Sequence, residues 1–130
     1  MNEPDQLDRQ AVAAASKYVG KVAGPTVILG LAFAGLYVTA VALALLGYLS
    51  LWLAVPIVAV VTYLSYTILH ESVHGSITGN DRSLRWLNKA MGYLAAWITM
   101  IPFTAHRHEH MAHHRHANHE EKDPDVHMGR

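Results

Sequence analysis

The sequence predicts an all-α integral membrane protein: a two-span helical hairpin, then an interfacial or re-entrant helix, then a cytosolic histidine-rich helix. Three observations support this fold class. Residues 22–69 form a run of 48 residues without Asp, Glu, Lys, Arg or His. A second uncharged run, residues 90–105, is only 16 residues long. All ten histidines lie at or after position 70, directly behind the long apolar run.

The long apolar run is best explained as two spans. A single helix of that length would reach about 70 Å, more than twice the roughly 30 Å hydrocarbon core of a bilayer. We expect the break at residues 47–50, with Tyr48 and Trp52 as interfacial aromatics. A buried hairpin in a soluble protein is the competing interpretation, but a soluble domain of 130 residues would rarely need so much uncharged chain.

The first 21 residues are predicted to be a cytosolic segment, with residues 11–18 helical and lying on the membrane surface. Lys17 and Lys21 flank the first span, whereas the turn between the spans carries no charge. The positive-inside rule then places the N terminus in the cytosol and returns His70 to the same side. In a bacterium this membrane would be the inner, or plasma, membrane.

The chain after His74 contains the elements that decide whether two histidine groups can meet. Gly75 is predicted to end the second span, residues 76–81 to form a polar loop, and Asp81 or Ser83 to cap the next helix. Residues 90–105 would cover about 24 Å as a helix, which is short of a span. We expect this segment to be interfacial or re-entrant, followed by a helix from His106 and a loop over residues 119–130.

Two groups of histidines have the spacing of metal ligands. His70 and His74 are four residues apart, so on a helix they differ by about 40° in azimuth and 6 Å in height. Four more imidazoles would lie within a sector of about 100° on the later helix. The predicted ligands are His70, His74, His110, His113 and His114, with His106 as a further candidate. The remaining histidines are interpreted as solvated or headgroup-layer residues: His108, His116, His119 and His127.

Composition narrows the chemistry further. The chain has no cysteine, which excludes thiolate zinc sites and iron–sulfur clusters, so any metal must be held by nitrogen and oxygen. Ten acidic and ten Lys or Arg residues give a formal charge of zero, and we expect no nucleic-acid partner.

The order and flanks of these groups resemble the membrane fatty acid desaturase superfamily. The first histidine box would be residues 70–75, HESVHG, and the second residues 110–118, HMAHHRHAN. Leu87-Asn88 resembles the Leu-Asn between the boxes, and Asp123-Pro124-Asp125 resembles the acidic motif after the second box. The resemblance extends from about position 60 to the end of the chain.

One departure from the family pattern concerns completeness. The family has a third box, HxxHH, beyond two further spans, and residues 1–130 do not contain it. Five or six imidazoles are fewer than two irons usually receive in this family. We therefore expect the chain to be the N-terminal portion of a single desaturase-like domain, not competent for turnover by itself.

The resemblance implies an oxygen-dependent diiron oxidoreductase acting on a fatty acyl lipid. Two irons would activate dioxygen to remove hydrogen from an unactivated C–H bond, and a second removal would give a double bond. The chain has neither cysteine nor a glycine-rich dinucleotide motif, so an external electron donor such as a ferredoxin or a cytochrome b5-like protein is implied. Candidate groups for orienting the ligand imidazoles are Glu71, Asn118, Asp123 and Asp125.

Alternatives remain at this stage. Carotenoid ketolases and hydroxylases and alkane hydroxylases of the same superfamily share the boxes. His70-Glu71-x-x-His74 also matches the HExxH signature of zinc metalloproteases, with Glu71 as general base. A non-enzymatic membrane protein that collects metal on its histidines is the third alternative, although residues 22–69 offer no ionisable group for transport.

Overall fold

The computed structural model describes residues 3–17 and 20–126; most of these residues are helical, and none of them forms a strand. His127 lies outside the described residues, so its predicted solvated role stays a prediction. Five α-helices follow one another, joined by short turns. Their bounds are α1 Glu3–Ser16, α2 Gly24–Leu45, α3 Leu51–His74, α4 Arg85–Thr99 and α5 Phe103–His116.

Helices α2 and α3 form the apolar hairpin. They are 22 and 24 residues long with mean hydropathies of 2.3 and 1.9, so both are long and apolar enough to cross a membrane. The turn between them, residues 46–50, includes the predicted residues 47–50 and starts one residue earlier. Most of their surface is exposed rather than buried, which is unlike the core helices of a soluble protein.

The end of α3 is fixed by a glycine, as predicted. Gly75 adopts the left-handed conformation, φ 73°, and its N–H bonds back to the carbonyls of the last turn. The polar loop predicted for residues 76–81 is only partly correct, because residues 76–78 form a 3₁₀ turn whose Ile77 and Thr78 are buried. This turn also binds the segment before α2, since the Ala23 N–H donates to the Ile77 carbonyl at 2.8 Å.

Helix α4 packs lengthwise against α3 and also contacts α2. Asp81 caps the 3₁₀ turn that leads into it, accepting from the Ser83 N–H at 2.9 Å. The buried Asn88 side chain donates to the Ser72 carbonyl of α3 at 2.8 Å. The apolar core lies between these helices and consists of Ile68, Leu69, Val73, Ile77, Met91, Ala95 and Phe103.

The second uncharged run is not one continuous segment. Helix α4 ends at Thr99, Met100 takes a left-handed φ of 58°, and Pro102 precedes α5. With 15 residues α4 covers only about 22 Å. The Phe103 ring lies against Gly92, where an added Cβ would be 2.5 Å from the ring. This close contact folds α5 back toward the end of α3.

The N-terminal helix differs from its prediction. Helix α1 begins at Glu3, eight residues earlier than the predicted residues 11–18, and ends at Ser16. Residues 3–10 carry polar side chains at every turn, so no apolar periodicity marked them as helical. Tyr18, the predicted end of this helix, lies outside the described residues.

Candidate metal centre

Four imidazoles meet where α3 and α5 come together. The last turn of α3 provides His70 and His74, and successive turns of α5 provide His110 and His114. One ring nitrogen from each of the four lies within 4.8 Å of the others. The two predicted histidine groups, 36 residues apart at His74 and His110, are therefore in direct contact.

The spacing within this four-imidazole cluster fits a bound metal ion. The His110 Nε2 atom is 3.0 Å from the Nε2 of His74 and 3.0 Å from the Nε2 of His114. One imidazole nitrogen is either a donor or an acceptor, so hydrogen bonding satisfies only one of these two contacts. Nitrogens bound at about 2.1 Å to one ion and at right angles are separated by about 3.0 Å. A divalent cation accepting all the lone pairs would satisfy the whole group.

The electrostatics of His110 favour the form that binds metal. Burial lowers the pKa of its imidazole to about 4, and repulsion from the neighbouring rings of His70, His114, His74 and His106 acts in the same direction. His110 is therefore neutral at pH 7 and offers a free lone pair. Metal ligation by imidazole requires that neutral form.

His106 lies next to the cluster without being one of its four members. Its ring is 5.6 Å from that of His110, and its Nε2 is buried with no hydrogen-bond partner in the described part of the chain. A metal ion would satisfy a buried lone pair at this position, and a bound water would satisfy either a lone pair or an N–H. The role of His106 as a further ligand stays a prediction.

Tyr66 is a neighbour of the cluster that the sequence reasoning missed. Its ring lies 6.4 Å from that of His70 and 5.6 Å from that of His106. Tyr66 stands one helical turn before His70, in the same i, i+4 series as His74. Extending that series backwards by one step would have found it.

His113 is turned away from the four-imidazole cluster. Its Nδ1 donates to Asp123 Oδ1 at 2.8 Å and lies 3.3 Å from Asp125 Oδ2. Its ring is 6.3 Å from that of His110. Donation from Nδ1 fixes the tautomer, which leaves Nε2 as the lone-pair nitrogen.

Asp123 organises the loop behind His113. Only 2% of its surface is exposed, and its two oxygens also accept from the backbone N–H groups of Asn118 and Asp125. The hydrogen bond from His113 and these backbone donors lower the pKa of Asp123 to about 2, and the same bond raises the pKa of His113. Asn118 takes part through its backbone, with a left-handed φ of 64°.

Glu71 lies beside the cluster but points to the following turn. The Ser76 hydroxyl donates to its carboxylate, and its nearer oxygen is 3.6 Å from Nδ1 of His70. That distance is longer than a hydrogen bond. The remaining described histidines are His108, His116 and His119, and they belong neither to the four-imidazole cluster nor to the group formed by His113, Asp123 and Asp125.

Comparison with known proteins identifies the chain. The model of the fatty acid desaturase family matches residues 46–130, which is more than half of the chain. This chain belongs to the fatty acid desaturase family. The matched part of the desaturase chain contains α3, α4, α5, the four-imidazole cluster and the paired His113 and Asp123. No curated protein and no solved structure matches it.

Membership fixes the general class of the protein. Desaturase-family proteins are oxidoreductases that typically use two irons, and the four-imidazole cluster supplies ligands of the right kind. The family and the two apolar helices together indicate association with a membrane. The predicted resemblance to this superfamily is thus confirmed.

Proposed function

We propose that this protein is the N-terminal part of an oxygen-dependent diiron desaturase that introduces a double bond into a fatty acyl lipid. The observation that carries the proposal is the four-imidazole cluster formed by His70, His74, His110 and His114 at the end of an apolar helix. Membership of the desaturase family supports the same reaction class.

The residues of this chain have distinct roles in the proposed reaction. Iron, when bound, supplies the activation of dioxygen and the removal of hydrogen from an unactivated C–H bond. His70, His74, His110 and His114 hold the metal through neutral imidazole nitrogens. Asp123 keeps the proton of His113 on Nδ1, so that His113 can present Nε2 as a ligand for a second ion.

The proposed membrane arrangement puts this site at the cytosolic surface. Lys17 and Lys21 precede α2, whereas residues 46–50 carry no charge, which favours a cytosolic N terminus. With α2 and α3 both spanning, His70 and His74 return to the cytosolic side. A lipid substrate would then reach the cluster laterally from the bilayer, past Tyr66, with no need to cross the membrane.

The proposed complete enzyme needs more than these 130 residues. Four imidazoles suffice for one ion, and His113 with His106 are too few for a second. The rest would come from a third histidine box in a longer polypeptide. Electrons would come from a separate carrier such as a ferredoxin or a cytochrome b5-like protein, since the chain has no cysteine for an iron–sulfur centre.

The metal part of the proposal is tested on the chain as it stands. The chain is expressed with added iron, purified from membranes in detergent, and its metals are quantified by mass spectrometry. We expect bound iron, lost in the double variant His74→Ala/His114→Ala and retained in His108→Ala/His116→Ala. Equal loss in both would instead support a non-specific histidine-rich metal collector.

The reaction is tested on the natural open reading frame. Sequencing the source transcript past codon 130 should show two more apolar spans and a third HxxHH. Expression of that frame should add iron- and oxygen-dependent double bonds to the host fatty acids, and His74→Ala should abolish them. Hydroxylated or keto products would overturn desaturation in favour of the other reactions of this superfamily.

A further inference from the structure

A cavity lies between the end of α3, the first turns of α4 and the start of α5. Its volume is about 470 Å³, and three cations line it: Arg85, Lys89 and Arg107. No carboxylate belongs to its lining. The described residues contain no ion pair between a carboxylate and any of these three side chains. The cavity therefore carries concentrated positive charge that the protein itself does not neutralise.

Two buried polar atoms in the same cavity have no partner. Asn88, 8% exposed, donates through Nδ2 to the Ser72 carbonyl, and its Oδ1 is left unbonded. The Ser72 hydroxyl, in a residue only 1% exposed, is also unbonded. Flipping the Asn88 amide would set Oδ1 against another acceptor, so the Ser72 carbonyl fixes its orientation. Oδ1 thus has no donor within the described protein, and the hydroxyl of a ligand in this cavity would supply one.

These features together specify a ligand. The three cations favour binding of a phosphate group. The Oδ1 atom of Asn88 can only accept, so the ligand must carry a hydrogen-bond donor. An ammonium donor would be repelled by the same three cations, and the choline group has no N–H to donate. A hydroxyl group meets both conditions, because it donates without adding positive charge.

We propose that this cavity binds an anionic phospholipid with a hydroxyl-bearing headgroup, of which phosphatidylglycerol is the simplest. The proposal rests on the proposed membrane arrangement, which puts the end of α3 at the level of the headgroups. Trp86, beside Arg85 and 64% exposed, suits that interfacial layer. An acidic protein partner would touch the outer guanidinium groups but leave the buried atoms of Asn88 and Ser72 unpaired.

The lipid site is separate from the metal centre. On α3, Ser72 points about 160–200° away from His70 and His74. The bound lipid would therefore be a structural ligand rather than the substrate.

The test measures lipid retention by native mass spectrometry of the full chain in neutral detergent. With dioleoyl phosphatidylglycerol we expect one retained lipid, at least about tenfold more than with dioleoyl phosphatidylcholine. Dioleoyl phosphatidic acid, which has the phosphate without the glycerol hydroxyls, should be retained less than phosphatidylglycerol. Stronger retention of phosphatidic acid would overturn the role of Asn88.

Variants locate the site. Arg85→Gln/Lys89→Gln/Arg107→Gln should lose the retained phosphatidylglycerol. The matched control Arg82→Gln/Arg115→Gln/Lys122→Gln removes the same charge from residues outside the cavity and should keep it. Equal retention by both triple variants overturns the proposal. Full displacement of the lipid by inorganic phosphate would also overturn the proposal, because free phosphate would then be the ligand. A cavity variant that keeps its lipid and is only reduced more slowly by an electron-donor protein would overturn it as well.

Failure of this proposal can be told apart from failure of the proposed function. Iron content should be the same in the cavity variant and its control. Extraction of the chain from membranes by alkaline carbonate would contradict the membrane arrangement itself. A carbonate-resistant, iron-binding chain without preference for phosphatidylglycerol would overturn only the lipid site.

Discussion

The Nε2 atoms of His74 and His110 are 3.0 Å apart, although 36 residues separate them in the chain. His110 makes the same close approach to His114, so it is the central member of the four-imidazole cluster. Its low pKa of about 4 keeps it neutral near pH 7, ready to bind a cation.

Replacing His110 should damage metal binding more than replacing any outer histidine. We expect His110→Ala to weaken Co²⁺ binding by more than about 100-fold, beyond the range for residues that only support a ligand. The visible absorption of bound Co²⁺ in a titration measures this. His108→Ala, on the outward side of the same helix, should bind as tightly as the unmodified chain. Similar losses in the two variants would contradict a central role for His110.

Tyr66 should support the cluster without being a ligand. Its ring contacts those of His70 and His106, so Tyr66→Ala should loosen both and lower Co²⁺ affinity by about tenfold. Tyr63 lies on the same helix but is 80% exposed, and Tyr63→Ala should leave the affinity unchanged. An unaltered affinity in the Tyr66 variant would show that the ring contacts do not position the histidines.

Asp123→Asn should reveal the ion pair with His113 through its pH dependence. The pKa of Asp123 is lowered, so its contribution to stability is present above its ordinary pKa of 3.8 and is lost as pH falls toward 2. The pKa of His113 is raised, so its contribution is present below 6.5 and is lost as pH rises past that raised pKa.

The opposite pH dependences of the Asp123 and His113 contributions define one pH range in which both stabilise the fold. The Tm deficit of Asp123→Asn, measured by differential scanning fluorimetry in detergent, should be several degrees and largest between about pH 4 and 6.5. Asp125→Asn is the matched control, because Asp125 is the more distant and more exposed partner of His113. A deficit independent of pH would mean that only the neutral hydrogen bonds of Asp123 matter.

Gly92 should not tolerate a methyl group. A Cβ there would lie 2.5 Å from the Phe103 ring, so Gly92→Ala should displace α5 and destabilise the fold by about 1–3 kcal/mol. Metal affinity should fall with it, since α5 provides two of the four ligands. Gly35→Ala, where a Cβ meets nothing within 4 Å, should instead be neutral or add about 0.5–1 kcal/mol. Thermal unfolding of both variants compares these two outcomes.

Glu71→Gln should separate the desaturase assignment from a zinc protease. Glu71 bonds to Ser76 and is not among the clustered ligands, so the variant should keep its iron and, in the complete frame, most of its desaturation. A metalloprotease would lose its general base and all peptide hydrolysis. Loss of hydrolysis with retained zinc would contradict the desaturase reaction.

Local signals in the sequence predicted much of the fold. The uncharged turn before Ser50, the left-handed Gly75 and the Asp81 cap act within a few residues, and each lies where it was expected. The start of α1 has no such signal. The break at Met100 was missed because it depends on the packing of Phe103 against Gly92.

Spacing predicted that His70, His74, His110 and His114 would meet, but it also placed His113 with them, whereas His113 pairs with Asp123. His113 and His114 are about 100° apart on α5, at opposite edges of the predicted sector. Helical periodicity groups them, whereas the loop that carries Asp123 draws His113 to one side. Such a choice depends on a tertiary contact, which spacing within a helix does not encode.

The hairpin of α2 and α3 is closed at both ends, by residues 46–50 at one end and by backbone hydrogen bonds at the other. The Asn80 N–H donates to the Gly20 carbonyl, and Gly79 lies so near Gly20 that a Cβ would be 2.4 Å from its backbone. Sliding one helix past the other by a turn, about 5.4 Å, would break this closure. In a bilayer thinner than the proposed spans, we expect the pair to tilt as one unit. The depth of the histidines relative to the membrane surface would then change with the tilt of the pair.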